Sequence, residues 1–531
     1  MAHVVIYISQ LDITNEERVY IMQLLAFVFY FLLILGVGLF FFFRSDEGGE
    51  KEYFLGNRSM GPWVTAMSAQ ASDMSGWLLM GFPGSILAFG MGKVWIGIGL
   101  ALGTAANWLI VAKRLRRFSR ASGDAITLPQ YLTNRFASTN PILKIVCAVI
   151  FLISFTVYVS SAFVAGKSVM LAVIPWFADK EMLAMALFAL LILVYTFLGG
   201  YKAVCWTDFF QGLMMLIALL AVPIVMSLGH FDATYSGAFA EGIAAFESNP
   251  FSADWRDIVT GLSWGLGYFG MPHIIVRFMG IQKPSQVKKA STVAIVWVVL
   301  SLGSAIAIAI LGRTYLLSDG NSLAANLLTI SKQETIFITL AQDIFPPVIA
   351  GLLLAAIVAA AMSTADSQLL VASSSFTSDI YKPLIRKDNA TEKEVLWVGR
   401  IVVAIVSVVA FFIASSGSSW ASSIMSMVEN AWGLFGAAFG PVVLLSLFWR
   451  RLNYSGACAG IIVGAVVDIA WLLCFTNTIT TALVKATGIY EILPGFIAGA
   501  LAAIVVSLCT KVPSEEVNAI FDAGIDNSID N

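Results

Sequence analysis

The sequence predicts an all-α integral membrane protein with about thirteen transmembrane helices. Of its 531 residues, 59% are hydrophobic and only 12% are charged, a balance that differs strongly from that of soluble domains. Apolar runs of roughly 20 residues recur, which is the length that a helix needs to cross about 30 Å of hydrocarbon. The run MQLLAFVFYFLLILGVGLFFFF is apolar on every side, whereas the strands of a membrane barrel alternate in polarity.

The predicted spans cover residues 21–43, 62–88, 91–112, 142–173, 183–200, 203–229, 257–280, 290–313, 346–377, 395–415, 421–448, 455–476 and 490–510. Lys and Arg favour the loops on one side by about three to one, which marks that side as cytoplasmic. We therefore expect a multi-pass protein of the cell membrane, plasma or inner, with an extracytoplasmic N-terminus and a cytoplasmic C-terminus. The tail after Pro513 is short and acidic, and we assign it no role.

Composition also argues against several classes of function. A net charge of -2 provides no basic field to hold nucleic acid. The three histidines and five cysteines lack metal-ligand spacing and no nucleophile–base motif is visible, so we expect neither an enzyme nor an organic cofactor. A channel would need a repeated filter motif, which is also not visible. The expected surroundings are the lipid bilayer, and no obligate protein partner is evident.

Two predicted spans carry glycine and proline clusters that an uninterrupted helix does not need. The second contains SAQASDMSGWLLMGFPGS and the seventh contains GLSWGLGYFGMPHIIVRF. They lie five spans apart, so residues 62–229 and 257–448 would form two five-helix halves, inverted because five is odd. Inverted repeats that open on broken helices are typical of transporters with a substrate site near the membrane midplane. The alternative is that these residues only permit close helix packing. The other predicted segments are the N-terminal tail, first helix and loop 1–61, two additional helices 455–510 and the tail 511–531.

Polar residues inside the spans are the first candidates for a binding site, because a charge there is costly. Asp73 lies near the middle of the second span, where unwound backbone could offer carbonyl oxygens to a hard cation; capping of a half-helix is the alternative. In AAAMSTADSQLL of the ninth span, Ala360, Ser363 and Thr364 are spaced i, i+3, i+4, so a carbonyl and two hydroxyls can converge. Such hydroxyls also commonly bond back to their own helix.

A second polar group follows one step along the ninth span. Ser363, Asp366 and Ser367 repeat the spacing, and Asp208 of the sixth span lies at a similar depth. The two carboxylates could share a cation or a proton, or either could pair with Lys202, Lys167 or Arg277. Arg277 is equally explained as a cytoplasmic anchor.

Aromatic residues occur at the presumed break in the seventh span. Trp264 and Tyr268 are spaced i, i+4, and Tyr158 of the fourth span would face them. These rings could wall an apolar substrate ring, although aromatic side chains in a helix bundle usually serve packing.

Five ordered blocks carry a family resemblance: LGNRSMGPWVTAMSAQASDMSGWLLMGFPG, WTDFFQ, WGLGYFGMPHI, AAAMSTADSQLL and AWGLFGAAFGPVVL. Over about residues 50–510 the sequence resembles the sodium/solute symporter family, and within it most closely the sodium/proline symporters. The resemblance implies thirteen helices with a LeuT-type five-plus-five inverted-repeat core. It also implies Na⁺ as the co-transported ion and sodium-coupled uptake of L-proline by alternating access. The alternatives are sodium symport of another small carboxylate, such as sialic acid, pantothenate or another amino acid, or proton-coupled symport.

The resemblance also implies site residues. The main sodium site would comprise the carbonyls of Ala71, Met74 and Ala360 and the hydroxyls of Ser363 and Thr364, with Asp73 as the family's essential acid nearby. The positions that would surround the substrate are Ser75, Gly76, Trp77, Tyr158, Trp264, Gly265, Tyr268 and Pro272. Arg58 matches an arginine of the cytoplasmic loop that proline symporters need. A second sodium site of some sialic-acid and sugar members matches Asp208, Ser363, Asp366 and Ser367, but proline symporters have a neutral residue where Asp366 stands, so the ion number stays open.

Overall fold

The structure is a computed structural model, and it describes residues 14–44, 49–198, 200–229, 249–318, 332–387, 389–475 and 488–526. In these ranges the chain is mainly helical, and Met60 and Ile281 form an isolated strand-like bridge. The predicted N-terminal tail up to residue 13, most of the loop 230–256 and the last residue of the span 455–476 lie outside the described residues.

The first part of the chain forms helices α1 (Asn15–Arg44), α2 (Gly49–Leu55), α3 (Pro62–Asp73), α4 (Trp77–Phe89), α5 (Met91–Ala121), α6 (Leu128–Arg135), α7 (Ile142–Val173), α8 (Glu181–Leu198) and α9 (Tyr201–Gly229). The second part forms α10 (Trp255–Ser263), α11 (Pro272–Gly280), α12 (Val287–Ser318), α13 (Ile336–Ile344), α14 (Pro347–Phe376), α15 (Glu392–Ala414), α16 (Ile424–Phe448), α17 (Tyr454–Phe475), α18 (Ile492–Cys509) and α19 (Glu515–Ile525).

Ten helices of the described residues are long and apolar enough to cross a membrane: α1, α5, α7, α9, α12 and α14 to α18. The other three predicted spans correspond to the shorter apolar helix α8 and to the pairs α3–α4 and α10–α11. Within each pair, the single helices are too short to cross about 30 Å of hydrocarbon alone. The all-α membrane class is therefore confirmed, and the count of thirteen spans stays a prediction.

The second predicted span is interrupted between α3 and α4. Helix α3 ends at Asp73, and Met74 leaves the helical conformation with φ -86° and ψ 77°. The amide of Ser75 turns back to the carbonyl of Asp73 at 3.0 Å, and the amide of Leu78 donates to Ser75 at 3.1 Å. Because Leu78 bonds to Ser75, the carbonyl of Met74 lacks the amide partner that a continuous α-helix would give it.

The seventh predicted span is interrupted as well. Helix α10 ends at Ser263, the backbone continues as a 3₁₀ helix over Trp264–Phe269, and Met271 is extended with φ -76° and ψ 108°. Pro272 then begins α11. A proline disfavours the helical conformation in the residue before it and itself suits a first helical turn, so the sequence encodes this break. The prediction of two interrupted spans is confirmed.

Glycines bring the second interrupted region close to α5. A methyl group at Gly103 would lie 2.5 Å from the Cα of Gly265, and one at Gly261 would lie 2.7 Å from the backbone carbonyl carbon of Trp95. Side chains at these positions would force the backbones apart. Close helix packing, the alternative explanation for the glycine clusters, is therefore also correct for these glycines. It accompanies the interruption of the span and does not replace it.

Helix α14 lies at the centre of the bundle. It packs against α1, α3, α7 and α9, and its side chains are buried from Leu353 to Ser375. The small residues of AGLLLAAIVAAAMSTADSQLL let four neighbouring helices approach its backbone. The polar residues of α14 are therefore surrounded by protein. Helices α3 and α9 are among the neighbours that they can contact.

Part of the C-terminal tail, to which no role was assigned, forms the helix α19. Ser514 caps α19 through the amide of Val517, and α19 packs against the end of α5. The ring of Phe521 lies 5.4 Å from that of Phe118, and Arg450 forms an ion pair with Asp522 at 2.8 Å. The tail thus packs against the end of α5 and against the residue pair that follows α16.

Candidate ion and substrate site

Four of the five predicted sodium ligands meet where α3 ends against the middle of α14. The hydroxyl of Ser363 donates to the carbonyl of Ala71 at 2.8 Å and to that of Ala360 at 3.2 Å, and the hydroxyl of Thr364 lies 3.5 Å from the carbonyl of Ala71. The last carbonyls of a helix carry partial negative charge and lack helical partners. Hydroxyl and carbonyl oxygens in this arrangement suit a hard monovalent cation. Met74, the fifth predicted ligand, is the first residue of the break.

Asp73 joins the two interruptions. Its carboxylate accepts a hydrogen bond of 2.6 Å from the hydroxyl of Tyr268, which lies on the 3₁₀ segment of the other break. Its backbone carbonyl accepts from the indole of Trp77 at 3.3 Å and from the hydroxyl of Tyr158 at 3.4 Å. The side chain is fully buried and its Oδ1 has no hydrogen-bond partner among the described residues. One residue therefore links the predicted ion ligands to the predicted substrate wall.

The rings at the predicted aromatic wall form two groups of contacts. The rings of Trp77 and Trp264 lie 6.5 Å apart, and Trp264 is followed by Tyr490 at 5.1 Å. Tyr268 meets the ring of Trp432 edge-on at 5.0 Å. All five rings are buried. A substrate ring could therefore reach this wall only if the helices around it moved.

The remaining predicted substrate positions supply mainly backbone. The hydroxyl of Ser75 accepts from the amide of Trp77 at 3.4 Å. A methyl group at Gly76 would lie 2.8 Å from the Cβ of Ala165, and Gly265 faces α5, so both glycines serve close approach. Pro272 opens α11. Any contact of Gly76 and Gly265 with a substrate would therefore come from their backbone atoms.

The second predicted ion site is engaged by an arginine. Arg277 of α11 pairs with the carboxylate of Asp208 at 3.2 Å and donates to the hydroxyl of Ser367 at 2.5 Å. The hydroxyl of Ser68 donates to Asp208 at 2.7 Å. Both oxygens of Asp366 are buried without a hydrogen-bond partner among the described residues. Of the two explanations left open for Asp208, the structure shows the pairing with Arg277.

Arg58 fastens the loop before α3 to the end of α11. Its guanidinium donates to the carbonyl of Met279 at 2.5 Å and to that of Ala125 at 2.8 Å, and it pairs with Asp124 at 2.8 Å. Burial tends to raise the pKa of Asp124, but the hydrogen bond from Lys51 and the nearby charge of Arg58 outweigh it, so the pKa lies below its ordinary value. The hydrogen bond from Arg58 to Met279 therefore holds the residues before α3 against the end of α11.

Four residues of the described site were not predicted: Trp432, Asn107, Tyr490 and Ser68. The indole of Trp432 donates to the carbonyl of Trp264 at 2.8 Å, and the amide of Asn107 donates to the carbonyl of Tyr268 at 2.9 Å. Both side chains satisfy backbone carbonyls that the interruption frees from helical hydrogen bonds. The sequence contained a signal for Asn107, since an asparagine inside the apolar α5 is a buried amide that needs a hydrogen-bond partner.

A family profile described as the Sodium:solute symporter family matches residues 53–464. The chain belongs to the sodium:solute symporter family. The match contains both interrupted segments and all of α14, so the oxygen cluster and, apart from Tyr490, the aromatic wall lie within it. Members of this family are transporters, so the chain is not an enzyme.

Curated relatives match almost the whole chain. A protein named sodium/proline symporter from Haemophilus influenzae is 41% identical over 506 residues, covering 94% of this chain and 97% of the relative. One named sodium/proline symporter 2 from Staphylococcus saprophyticus is 42% identical over 518 residues, covering 96% and 97%.

Two solved structures share the fold. A Na⁺-coupled sialic acid symporter, in a substrate-bound outward-open state, matches with a TM-score of 0.71 and 20% identity, covering 93% of this chain and 99% of its own. Mhp1, a nucleobase-cation-symport-1 family transporter in a closed conformation, matches with a TM-score of 0.51 and 14% identity, covering 89% and 98%. The predicted LeuT-type fold is therefore confirmed.

Proposed function

We propose that this protein takes up L-proline together with Na⁺ by alternating access. The observation that carries the proposal is the position of Asp73, which joins the oxygen cluster at the end of α3 to the aromatic wall through Tyr268 at 2.6 Å. Near-complete relatives named sodium/proline symporters support proline as the substrate.

In this mechanism Na⁺ binds to the carbonyls of Ala71, Met74 and Ala360 and to the hydroxyls of Ser363 and Thr364. The hydroxyl of Ser363 gives up its present bonds to Ala71 and Ala360 and turns its lone pairs to the ion. The ion then holds the end of α3 against α14. Because the substrate wall begins at the same break, fixing the break favours substrate binding, and the linkage is reciprocal.

The substrate would meet both polar and apolar groups of the break. The amides that open α4, around Ser75, Gly76 and Trp77, are helix N-terminal groups suited to a carboxylate. The rings of Trp264 and Tyr268, with Tyr158 and Pro272, would take the pyrrolidine ring. Gly265 would keep this wall close to α5.

Rocking of the interrupted helices against the rest of the bundle would open the site to either side of the bilayer. In this scheme residues 62–229 and 257–448 are the inverted repeats, α17 and α18 are peripheral additions, and the N-terminus is extracytoplasmic. The loop carrying Arg58 would then close the cytoplasmic side through Met279 and Ala125. We propose no obligate protein partner.

The test is uptake of radiolabelled proline into proteoliposomes with and without an inward sodium gradient. We expect saturable uptake that needs Na⁺ and is not reduced by excess pantothenate or sialic acid. Uptake that persists without sodium at acid pH would instead indicate proton coupling. Saturation by another solute but not by proline would overturn the substrate assignment.

A further inference from the structure

The second predicted ion site already contains a positive charge of the protein. The guanidinium of Arg277 contacts two of the four predicted ligands, Asp208 at 3.2 Å and Ser367 at 2.5 Å. It also donates to the hydroxyl of Ser68 at 3.2 Å and to the carbonyl of His273 at 2.8 Å. These contacts hold the guanidinium from three sides.

Both charged partners are shielded from solvent. The side chains of Arg277 and Asp208 are 1% and 0% exposed, so neither charge can be screened by water. A guanidinium stays protonated in proteins, which makes it a permanent cation at this position. A sodium ion bound to Asp208 and Ser367 would have to displace this arginine or share both ligands with a like charge. The donor set therefore does not fit a second sodium ion.

We propose that Arg277 is a built-in substitute for a second sodium ion, so that one Na⁺ moves with each substrate molecule. This proposal rests on the proposed sodium-coupled symport. Arg277 acts as a positioning residue that neutralises Asp208 through α11. Because α11 belongs to an interrupted span, the tethered cation remains with the protein throughout the cycle.

Asp366 has a different part in this arrangement. Its two carboxylate oxygens are fully buried and have no hydrogen-bond partner among the described residues. It lies three residues after Ser363 on α14, and so on the same face of the helix as the main oxygen cluster. With Asp208 paired to Arg277, Asp366 is the carboxylate of the second predicted ion site that lacks an ion pair among the described residues. The charge of Asp366 favours Na⁺ at Ala71, Ala360, Ser363 and Thr364.

The test measures ion number directly. For the wild-type protein in proteoliposomes, the membrane potential that stops net sodium–proline flux at known gradients gives the number of Na⁺ per proline. We expect one, with a Hill coefficient for sodium near one. In R277Q the two carboxylates lose their resident cation, so we expect a second Na⁺ to bind and the Hill coefficient to rise toward two. The double variant D208N/R277Q should return it to one.

Sodium binding without transport provides a second readout. The melting temperature in detergent, measured against sodium concentration, should rise more steeply for R277Q than for the wild type and D208N/R277Q. The matched control is R135Q, since Arg135 is another buried arginine but, among the described residues, donates to the backbone carbonyls of Ser446 at 3.2 Å and Val517 at 3.1 Å. R277K, which keeps the charge, should retain the wild-type ion number.

Two results would overturn the proposal. The first is a wild-type protein that moves two Na⁺ per proline. The second is an R277Q protein whose sodium dependence matches the wild type in melting and in Hill coefficient. Wild-type proline uptake without any sodium requirement would instead refute the proposed function, so the two failures are distinguishable. If R277Q does not fold, the wild-type ion number still decides.

Discussion

Replacing Tyr268 with phenylalanine tests the link between the ion cluster and the aromatic wall. The change removes one hydroxyl, whose hydrogen bond of 2.6 Å is the only one that the carboxylate of Asp73 accepts among the described residues. The ring remains, and with it the edge-on contact to Trp432. A buried carboxylate would then be left without a donor.

The expected change in the half-saturating concentrations follows from the type of hydrogen bond that Y268F removes. A hydrogen bond to a charged group contributes about 1.5–3 kcal/mol, and about 1.4 kcal/mol corresponds to a factor of ten. We therefore expect Y268F to raise the half-saturating sodium or proline concentration by roughly 10- to 150-fold. Because linkage is reciprocal, proline should also lose its ability to raise sodium affinity.

The assay is proline uptake by proteoliposomes over a matrix of sodium and proline concentrations. Tyr131→Phe is the matched control, since its hydroxyl is also buried but pairs with the hydroxyl of Ser446 at 2.9 Å. This variant should keep both half-saturation values. If Y268F and Y131F behave alike, or if Y268F shifts neither value by more than about twofold, Asp73 does not couple the two regions.

Three further predictions concern other parts of the molecule. Ser363→Ala should raise the half-saturating sodium concentration about tenfold or more, measured by uptake. Ser301→Ala should not, since among the described residues its hydroxyl bonds only to the carbonyl of Val298 in its own helix, at 3.2 Å. Asp124→Asn should lower the melting temperature at neutral pH. Because the folded pKa of Asp124 is depressed, this difference should persist down to about pH 4 and disappear as the pH falls through the lower folded value. Phe521→Ala should cost about 3 kcal/mol of stability, read as a lower melting temperature with unchanged proline half-saturation; an altered half-saturation would assign α19 a part in transport.

The interruptions and the main oxygen cluster were predictable because local rules determine them. Proline at position 272 restricts the backbone of the residue before it, and the glycines around Asp73 permit a break in the helix. The i, i+3, i+4 spacing of Ala360, Ser363 and Thr364 places these residues on one helix face. The sequence also contains a signal for the helix α19, since Val517 and Phe521 are spaced i, i+4 after a capping serine. The helix that these side chains cover could not be identified from that pattern.

The pairing of Arg277 with Asp208 was only one of several open alternatives, for a geometric reason. The two residues lie 69 positions apart on different helices, and hydropathy gives their depth without giving the rotation of either helix. The roles of Asn107 and Trp432 depend on carbonyls that become free only when α10 and its 3₁₀ continuation take their observed path. Long-range contacts of this kind require the packed bundle.

The number of Na⁺ ions that move with each proline determines the driving force for proline accumulation. One positive charge that crosses a potential of 100 mV supplies about 2.3 kcal/mol, which corresponds to roughly fifty-fold accumulation of a neutral solute. Two charges would supply roughly the square of that factor. Since Arg277 remains attached to α11, it neutralises Asp208 in the wild-type protein without contributing to this driving force. R277Q vesicles held at a fixed potential should therefore accumulate more proline than wild-type vesicles, if more slowly, because two mobile ions would replace one.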